Sequence, residues 1–152
     1  MKILMVCSGN ICRSPLAAGV LKRKLDVDQI VAEVDSAGFE PYYLGEKADH
    51  HTVSIAKKHG VDITGHSMRL FTARDFDAYN QIYVMDHKSY RDVLFLTRDV
   101  EDKQKVDYLL NAILPGQNKM IPNPYNHDPE ELDVVYHLIE KACTKIAGKL
   151  KK

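Results

Sequence analysis

The sequence predicts an α/β protein, a parallel β-sheet covered by helices on both faces. Short apolar runs alternate with longer segments of helical periodicity along all 152 residues, the pattern of a parallel sheet. No repeat, low-complexity tract or linker interrupts the alternation. The length suits one substantial core, so residues 1–152 are expected to form a single domain.

Taken in order, Ile3 to Val6 is an apolar run entering a polar, Gly-containing loop and reads as a buried strand. Ser14-Pro15 opens a helix with a plausible serine cap and a Pro in the first turn. Leu16, Ala17, Val20, Leu21 and Leu25 form its inner face. Val31 to Val34 is the second strand candidate, running into Asp35-Ser36-Ala37-Gly38. Phe39 to Ala48 is loop-like. A helix from Asp49 to His59 ends at Gly60, a fitting C-terminal glycine. Gln81 to Met85 is the third strand, His87 to Leu96 the helix after it, and Lys105 to Leu110 the fourth strand. Asn111 to Asn126 is a long loop. Asp128 to Leu150 is a closing amphipathic helix with Leu132, Val135, Leu138, Ile139, Ala142 and Ile146 facing inward. In such sheets ligands bind beyond the carboxyl ends of the strands, which directs attention to Cys7–Ser14, Asp35–Gly38 and Asp86 onward.

Composition excludes several classes of function. Lys plus Arg and Asp plus Glu both number 21, so no basic excess points to nucleic acid or an anionic membrane. No apolar stretch is long enough to span a bilayer, and the N-terminal run is too short for a signal peptide. A cytoplasmic protein is expected. Three cysteines, Cys7, Cys12 and Cys143, make a poor disulfide framework, and no His/Cys grouping has zinc-like spacing. Cys143 lies in the closing helix and reads as a core residue.

The chemistry sits in Cys7-Ser8-Gly9-Asn10-Ile11-Cys12-Arg13-Ser14-Pro15, a Cys-x5-Arg-Ser loop between strand and helix. A loop wrapped over a helix start turns successive backbone N–H groups inward and makes an anion nest. Gly9 is expected to permit the turn. Arg13 can grip two phosphate oxygens with its planar fork. Cys7 stands at the mouth of the nest, where the positive field favours a thiolate nucleophile. Ser14 is placed to donate a hydrogen bond to that sulfur.

This loop resembles the phosphate-binding loop of low-molecular-weight protein tyrosine phosphatases nearly residue for residue. The resemblance continues through Asp35-Ser36-Ala37-Gly38, Gly45-Glu46-Lys47-Ala48-Asp49, Gly60-Val61-Asp62-Ile63, His66-Ser67-Met68-Arg69, Met85-Asp86 and Asn123-Pro124-Tyr125. It implies a three-layer, flavodoxin-like fold with a four-stranded parallel sheet. It also implies hydrolysis of phosphotyrosine through a phosphocysteine, with Cys7 as nucleophile and Arg13 as the phosphate and transition-state ligand. Ser8, Gly9, Asn10, Ile11 and Cys12 complete the phosphate-binding loop. Asn10, Ser14, Ser36 and His66 match the network that shapes it, and Tyr42 and Tyr125 match aromatic cleft walls. Ile11 stands where related arginine phosphatases carry threonine, which favours phosphotyrosine over phosphoarginine. Cys12 matches a neighbour able to form a reversible disulfide with the nucleophile. The implied partners are phosphotyrosine proteins or aryl phosphates, with phosphate, sulfate or vanadate as ligands, and the implied state is a monomer. No cofactor or metal is expected, because Arg13 and the nest supply the positive charge.

The chain departs from this family at one place. The family's general acid is the aspartate of an Asp-Pro-Tyr triplet, and here the triplet is Asn123-Pro124-Tyr125. An amide can hydrogen-bond a leaving oxygen but cannot give it a proton, and general acid–base catalysis contributes ~10²–10⁴-fold. Three readings stand: a replacement introduced to trap a ligand in a working phosphatase, a natural variant that is slow or uses another acid, and a phosphotyrosine-binding protein with vestigial chemistry. His127 and Asp128 are the nearby substitute acids, although Asp128-Pro129-Glu130-Glu131 also reads as a helix cap. An arsenate reductase is the enzymatic rival. It is disfavoured because no cysteine follows the third strand between Asp86 and Val106.

Overall fold

The computed structural model describes residues 1–124 and 128–151. Four strands form one parallel sheet: β1 (Lys2–Val6), β2 (Glu33–Ala37), β3 (Gln81–Val84) and β4 (Val106–Tyr108), in the order β2-β1-β3-β4. The helices are α1 (Arg13–Val27), α2 (His50–Lys58), α3 (Asp75–Ala78), α4 (His87–Phe95), α5 (Val100–Gln104) and α6 (Pro129–Leu150). Short 3₁₀ turns occupy Pro41–Tyr43 and Leu109–Ala112.

The two-residue period of β1 splits the core into two layers. Ile3, Met5 and Cys7 pack with α1, α2 and α6, whereas Leu4 and Val6 pack with Phe76 of α3, Val93 of α4 and the opposite faces of β3 and β4. This is the three-layer α/β arrangement expected from the alternation. The inner faces predicted for α1 and α6 are buried, apart from Leu138, which is partly covered. Cys143 is fully buried, with its thiol donating to the Ala17 carbonyl at 3.7 Å. No helix among the described residues is long and apolar enough to cross a membrane.

Several boundaries differ from the sequence expectation. β2 begins at Glu33, not Val31, and Val31 is exposed. Parallel pairing from Lys2–Glu33 to Val6–Ala37 fixes the register, and this edge strand turns Glu33 and Asp35 outward. Val31 and Ala32 are apolar without being strand. β4 is shorter than Lys105–Leu110, since Leu109 and Leu110 reach the core from a 3₁₀ turn. The short helices α3 and α5 had no strong apolar period to announce them. Asp49 caps α2 by accepting from Thr52 N–H, and Asp128 caps α6 by accepting from Glu130 N–H. The helix starts expected at these two residues are therefore present. Ser14 is not a cap: α1 starts at Arg13, and the Ser14 hydroxyl is engaged elsewhere.

Candidate active site

β1 delivers Cys7 to the carboxyl edge of the sheet, and the chain then folds back to enter α1 at Arg13. The turn is made by Asn10, at φ 54°, not by Gly9, which has no positive φ. Asparagine tolerates the left-handed region because its short amide can bond locally, and here every polar group of a fully buried Asn10 is used. Its N–H points to Cys7 Sγ at 3.3 Å, and its Nδ2 donates to Ser14 Oγ at 2.7 Å. Its Oδ1 accepts from Arg69 N–H at 3.3 Å, and its carbonyl accepts from His66 Nε2 at 2.6 Å. A carbonyl can only accept, so Nε2 carries the proton. Burial is the main influence on His66 and lowers its pKa, against the pull of that hydrogen bond, which keeps the ring neutral.

Ser14 Oγ receives the Asn10 amide, leaving its own proton for the Cys7 sulfur at 3.0 Å. Among the described residues, no protein acceptor takes the N–H groups of Ser8, Gly9, Ile11, Cys12 or Arg13. The buried Ser8 hydroxyl has no partner among them either. Unmet donors concentrated at a helix start form a site for an anion. Gly38 lets β2 approach this loop. A Cβ there would lie 2.7 Å from Asn10 Cβ and 2.8 Å from the Ser8 carbonyl oxygen.

Arg13 is buried and held from two sides. Nη2 pairs with Asp86 Oδ2 at 2.7 Å, and Nη1 donates to the Ile121 carbonyl at 2.8 Å. A guanidinium has five N–H donors, so the remaining ones can meet an oxyanion. Burial alone would raise the Asp86 pKa, but hydrogen bonds from the Ser89 hydroxyl and amide, followed by Arg13, bring it below the ordinary aspartate value. Asp86 thus stays ionised and orients Arg13 while capping α4. Sequence reasoning noted Asp86 at a strand end but gave it no role. An acid at the carboxyl edge of a parallel sheet was the available signal.

The other expected residues divide into neighbours and outliers. Cys12 accepts a hydrogen bond from Thr52 Oγ1 at 3.0 Å, and burial pushes its thiol up to about 11. All three cysteines are free thiols. Ile11 lines the cleft, and its carbonyl accepts from Asp49 N–H at 2.7 Å. Ser36 is buried on β2, with its hydroxyl outside the hydrogen-bonded loop network among the described residues. Tyr42 lies on the cleft wall, exposed and packed against Tyr43 at 4.6 Å between ring centroids. Asn123 also lines the cleft, exposed beside buried Pro124. Tyr125 and His127 lie outside the described residues. The cleft encloses about 1160 Å³ above the Cys7–Arg13 loop, with Tyr90, Tyr108 and Met120 completing the walls.

The sequence profile described as low molecular weight phosphotyrosine protein phosphatase matches residues 2–152. The chain belongs to this family. A Gallus gallus low molecular weight phosphotyrosine protein phosphatase is 35% identical over 145 residues, covering 93% of this chain and 90% of the relative. Among solved structures, a protein tyrosine phosphatase from Entamoeba histolytica, with Hepes in its active site, superposes with a TM-score of 0.91. It shares 29% identity and covers 99% of this chain and 97% of its own. Vibrio vulnificus Wzb in complex with benzylphosphonate gives a TM-score of 0.85 at 30% identity, with 97% of each chain covered. The low molecular weight phosphatase fold expected from the loop motif is therefore the fold of this chain.

Proposed function

We propose that this low molecular weight phosphatase family member hydrolyses phosphotyrosine through a phosphocysteine formed on Cys7. The observation that carries the proposal is the Cys7 sulfur under the Ser14 hydroxyl and Asn10 N–H, beside loop amides with no protein acceptor among the described residues. In the first step the thiolate attacks phosphorus, an S–P bond forms, and the P–O bond to the aryl oxygen breaks. Arg13 and the loop amides hold the equatorial oxygens as charge develops. In the second step water attacks phosphorus, the S–P bond breaks, and Ser14 hydrogen-bonds the departing thiolate. Phosphate leaves, with the proton of the water going to solvent or to phosphate oxygen.

The flat wall of Tyr42 and the apolar Ile11 suit an aryl phosphate. The substrates are phosphotyrosine proteins. Three free thiols fit a reducing cytoplasm. Arg13 and the nest supply the positive charge, so the reaction as written uses no metal or cofactor.

Asn123 occupies the acid position and offers only a hydrogen bond to the leaving oxygen. Asp86 does not replace it, being held ionised against Arg13, and Asp128 is committed to capping α6. Turnover is therefore slow, most of all for the poor leaving group of phosphotyrosine. Asn123 also supports a second reading, a phosphotyrosine-binding protein with vestigial chemistry. The test compares wild type, Asn123→Asp and Cys7→Ser on p-nitrophenyl phosphate and on a phosphotyrosine peptide. The phosphatase reading expects Asn123→Asp to gain up to ~10²–10⁴-fold on the peptide and less on the activated ester, with Cys7→Ser silent on both. A Cys7-independent rate overturns it, and the absence of any gain in Asn123→Asp points to a different acid where Cys7-dependent turnover persists and to a binder where it does not.

A further inference from the structure

The closing helix α6 carries Asp133 and His137 four residues apart, on one face of the helix. His59, the C-terminal cap of α2, meets them from another element. Asp133 Oδ1 lies 3.6 Å from His59 Nε2, and Asp133 Oδ2 lies 3.3 Å from His137 Nε2. One ligand atom from each of the three residues falls within 4.8 Å of the other two. None of the three lines the cleft.

Two features distinguish this trio from an ordinary surface ion pair. First, the spacing is looser than hydrogen bonding: the two imidazole nitrogens face different oxygens of Asp133 at 3.6 Å and 3.3 Å, beyond the ~2.9 Å at which N–H···O bonds centre. Second, His59 Nε2 is shielded from solvent and has no hydrogen-bond partner among the described residues, a state that buried polar atoms rarely keep. The ring is held in this pose by stacking on Tyr136 at 3.8 Å and 9°, and Tyr136 Oη in turn donates to Glu140 at 3.0 Å.

The structure assigns a transition-metal site to His59, Asp133 and His137, one that joins the end of α2 to α6. Two imidazoles and a carboxylate suit Zn²⁺ or Co²⁺ better than Mg²⁺ or Ca²⁺, which prefer all-oxygen shells. His137 is half exposed, which provides an entry path and leaves the remaining coordination positions to water. Binding requires both rings neutral at their ligating nitrogens and Asp133 ionised. The ion ties α2 to α6 and favours the folded chain by mass action.

The test uses tag-free full-length protein carrying Cys7→Ser and Cys12→Ser, so that the cleft thiols do not bind metal. Co²⁺ is followed by its visible d–d absorption, Zn²⁺ by competition with a chromogenic chelator, and Tm by circular dichroism. One equivalent binds, and Zn²⁺ raises Tm. His59→Ala and His137→Ala each weaken binding by at least about tenfold and remove the Tm rise. The separate Asp49, His50 and His51 group serves as control. Joint substitution His50→Ala, His51→Ala changes the Kd by less than about twofold. His137 is exposed enough for its truncation to leave the fold intact, which circular dichroism verifies. The assignment is overturned if no saturable equivalent binds, if both histidine variants keep the parent Kd, or if the control substitution abolishes binding.

Discussion

Replacing Asn10 by alanine tests the geometry that shapes the loop. The change removes Nδ2–H from Ser14 Oγ and Oδ1 from the Arg69 N–H, two contacts of a fully buried side chain. Each is worth about 1 kcal/mol, and a buried donor left without a partner costs about a further 1 kcal/mol. Alanine must also hold φ 54°, which adds about 1–2 kcal/mol, so the total loss is about 4–5 kcal/mol. For a chain of this size that lowers Tm by roughly 8–20 °C. Glycine at the same position loses the same hydrogen bonds but relieves the backbone. Left-handed strain of about 1–2 kcal/mol, less ~0.4–1 kcal/mol of unfolded-chain entropy, leaves Asn10→Gly about 0.5–1 kcal/mol more stable than Asn10→Ala. Urea melts of the three proteins, paired with kcat on p-nitrophenyl phosphate, measure both effects. Both variants should also lose kcat, because the Ser14 hydroxyl is no longer aimed at sulfur. If alanine proves as stable as glycine, or either variant matches wild type, the left-handed turn and its hydrogen bonds do not hold the loop as described.

Other perturbations follow from the same contacts. Asp86→Ala strips the buried Arg13 of its partner and should cost about 3 kcal/mol of stability while raising KM for aryl phosphates, read by denaturant melts and steady-state kinetics. Because the folded Asp86 pKa is depressed, its contribution is fully present above the unfolded aspartate value and is lost as pH falls through the lower folded value. The stability gap between wild type and Asp86→Asn should therefore close in strong acid and stay open at neutral pH. Gly38→Ala drives a Cβ into the backbone of the Cys7–Ser8 segment, and should cost about 1–3 kcal/mol along with most activity. Cys12, with its thiol pushed to about 11, should be alkylated slowly at neutral pH, its rate rising about tenfold per pH unit until near that value, as followed by mass spectrometry.

The sheet and the loop were legible in the sequence because their signals are local. The β1 run, the Cys-x5-Arg-Ser spacing and the apolar stripe of α6 each lie within one segment. Features set by distant partners were not legible. Ser14 carries a cap residue's side chain, yet Asn10 and Cys7 claim its hydroxyl once the loop has closed. Gly9 drew attention as the conventional turn-former, while the left-handed residue is its neighbour Asn10. Val31 reads as strand in the sequence because an isolated apolar pair does not reveal which register the sheet edge selects. Asp86 acquires its role only from Arg13, and His59 gains its neighbours only when α2 packs against α6.

Ile121 is pinned at both backbone atoms. Its N–H donates to the Met85 carbonyl at the end of β3, at 2.8 Å, and its carbonyl accepts from Arg13. Asn123, the residue proposed at the acid position, comes two positions after this anchor and is exposed. Under the proposed mechanism this divides the site into a fixed oxyanion grip and an exposed tip. A substitution at the tip should therefore change turnover and leave the anchored grip on the phosphoryl group untouched.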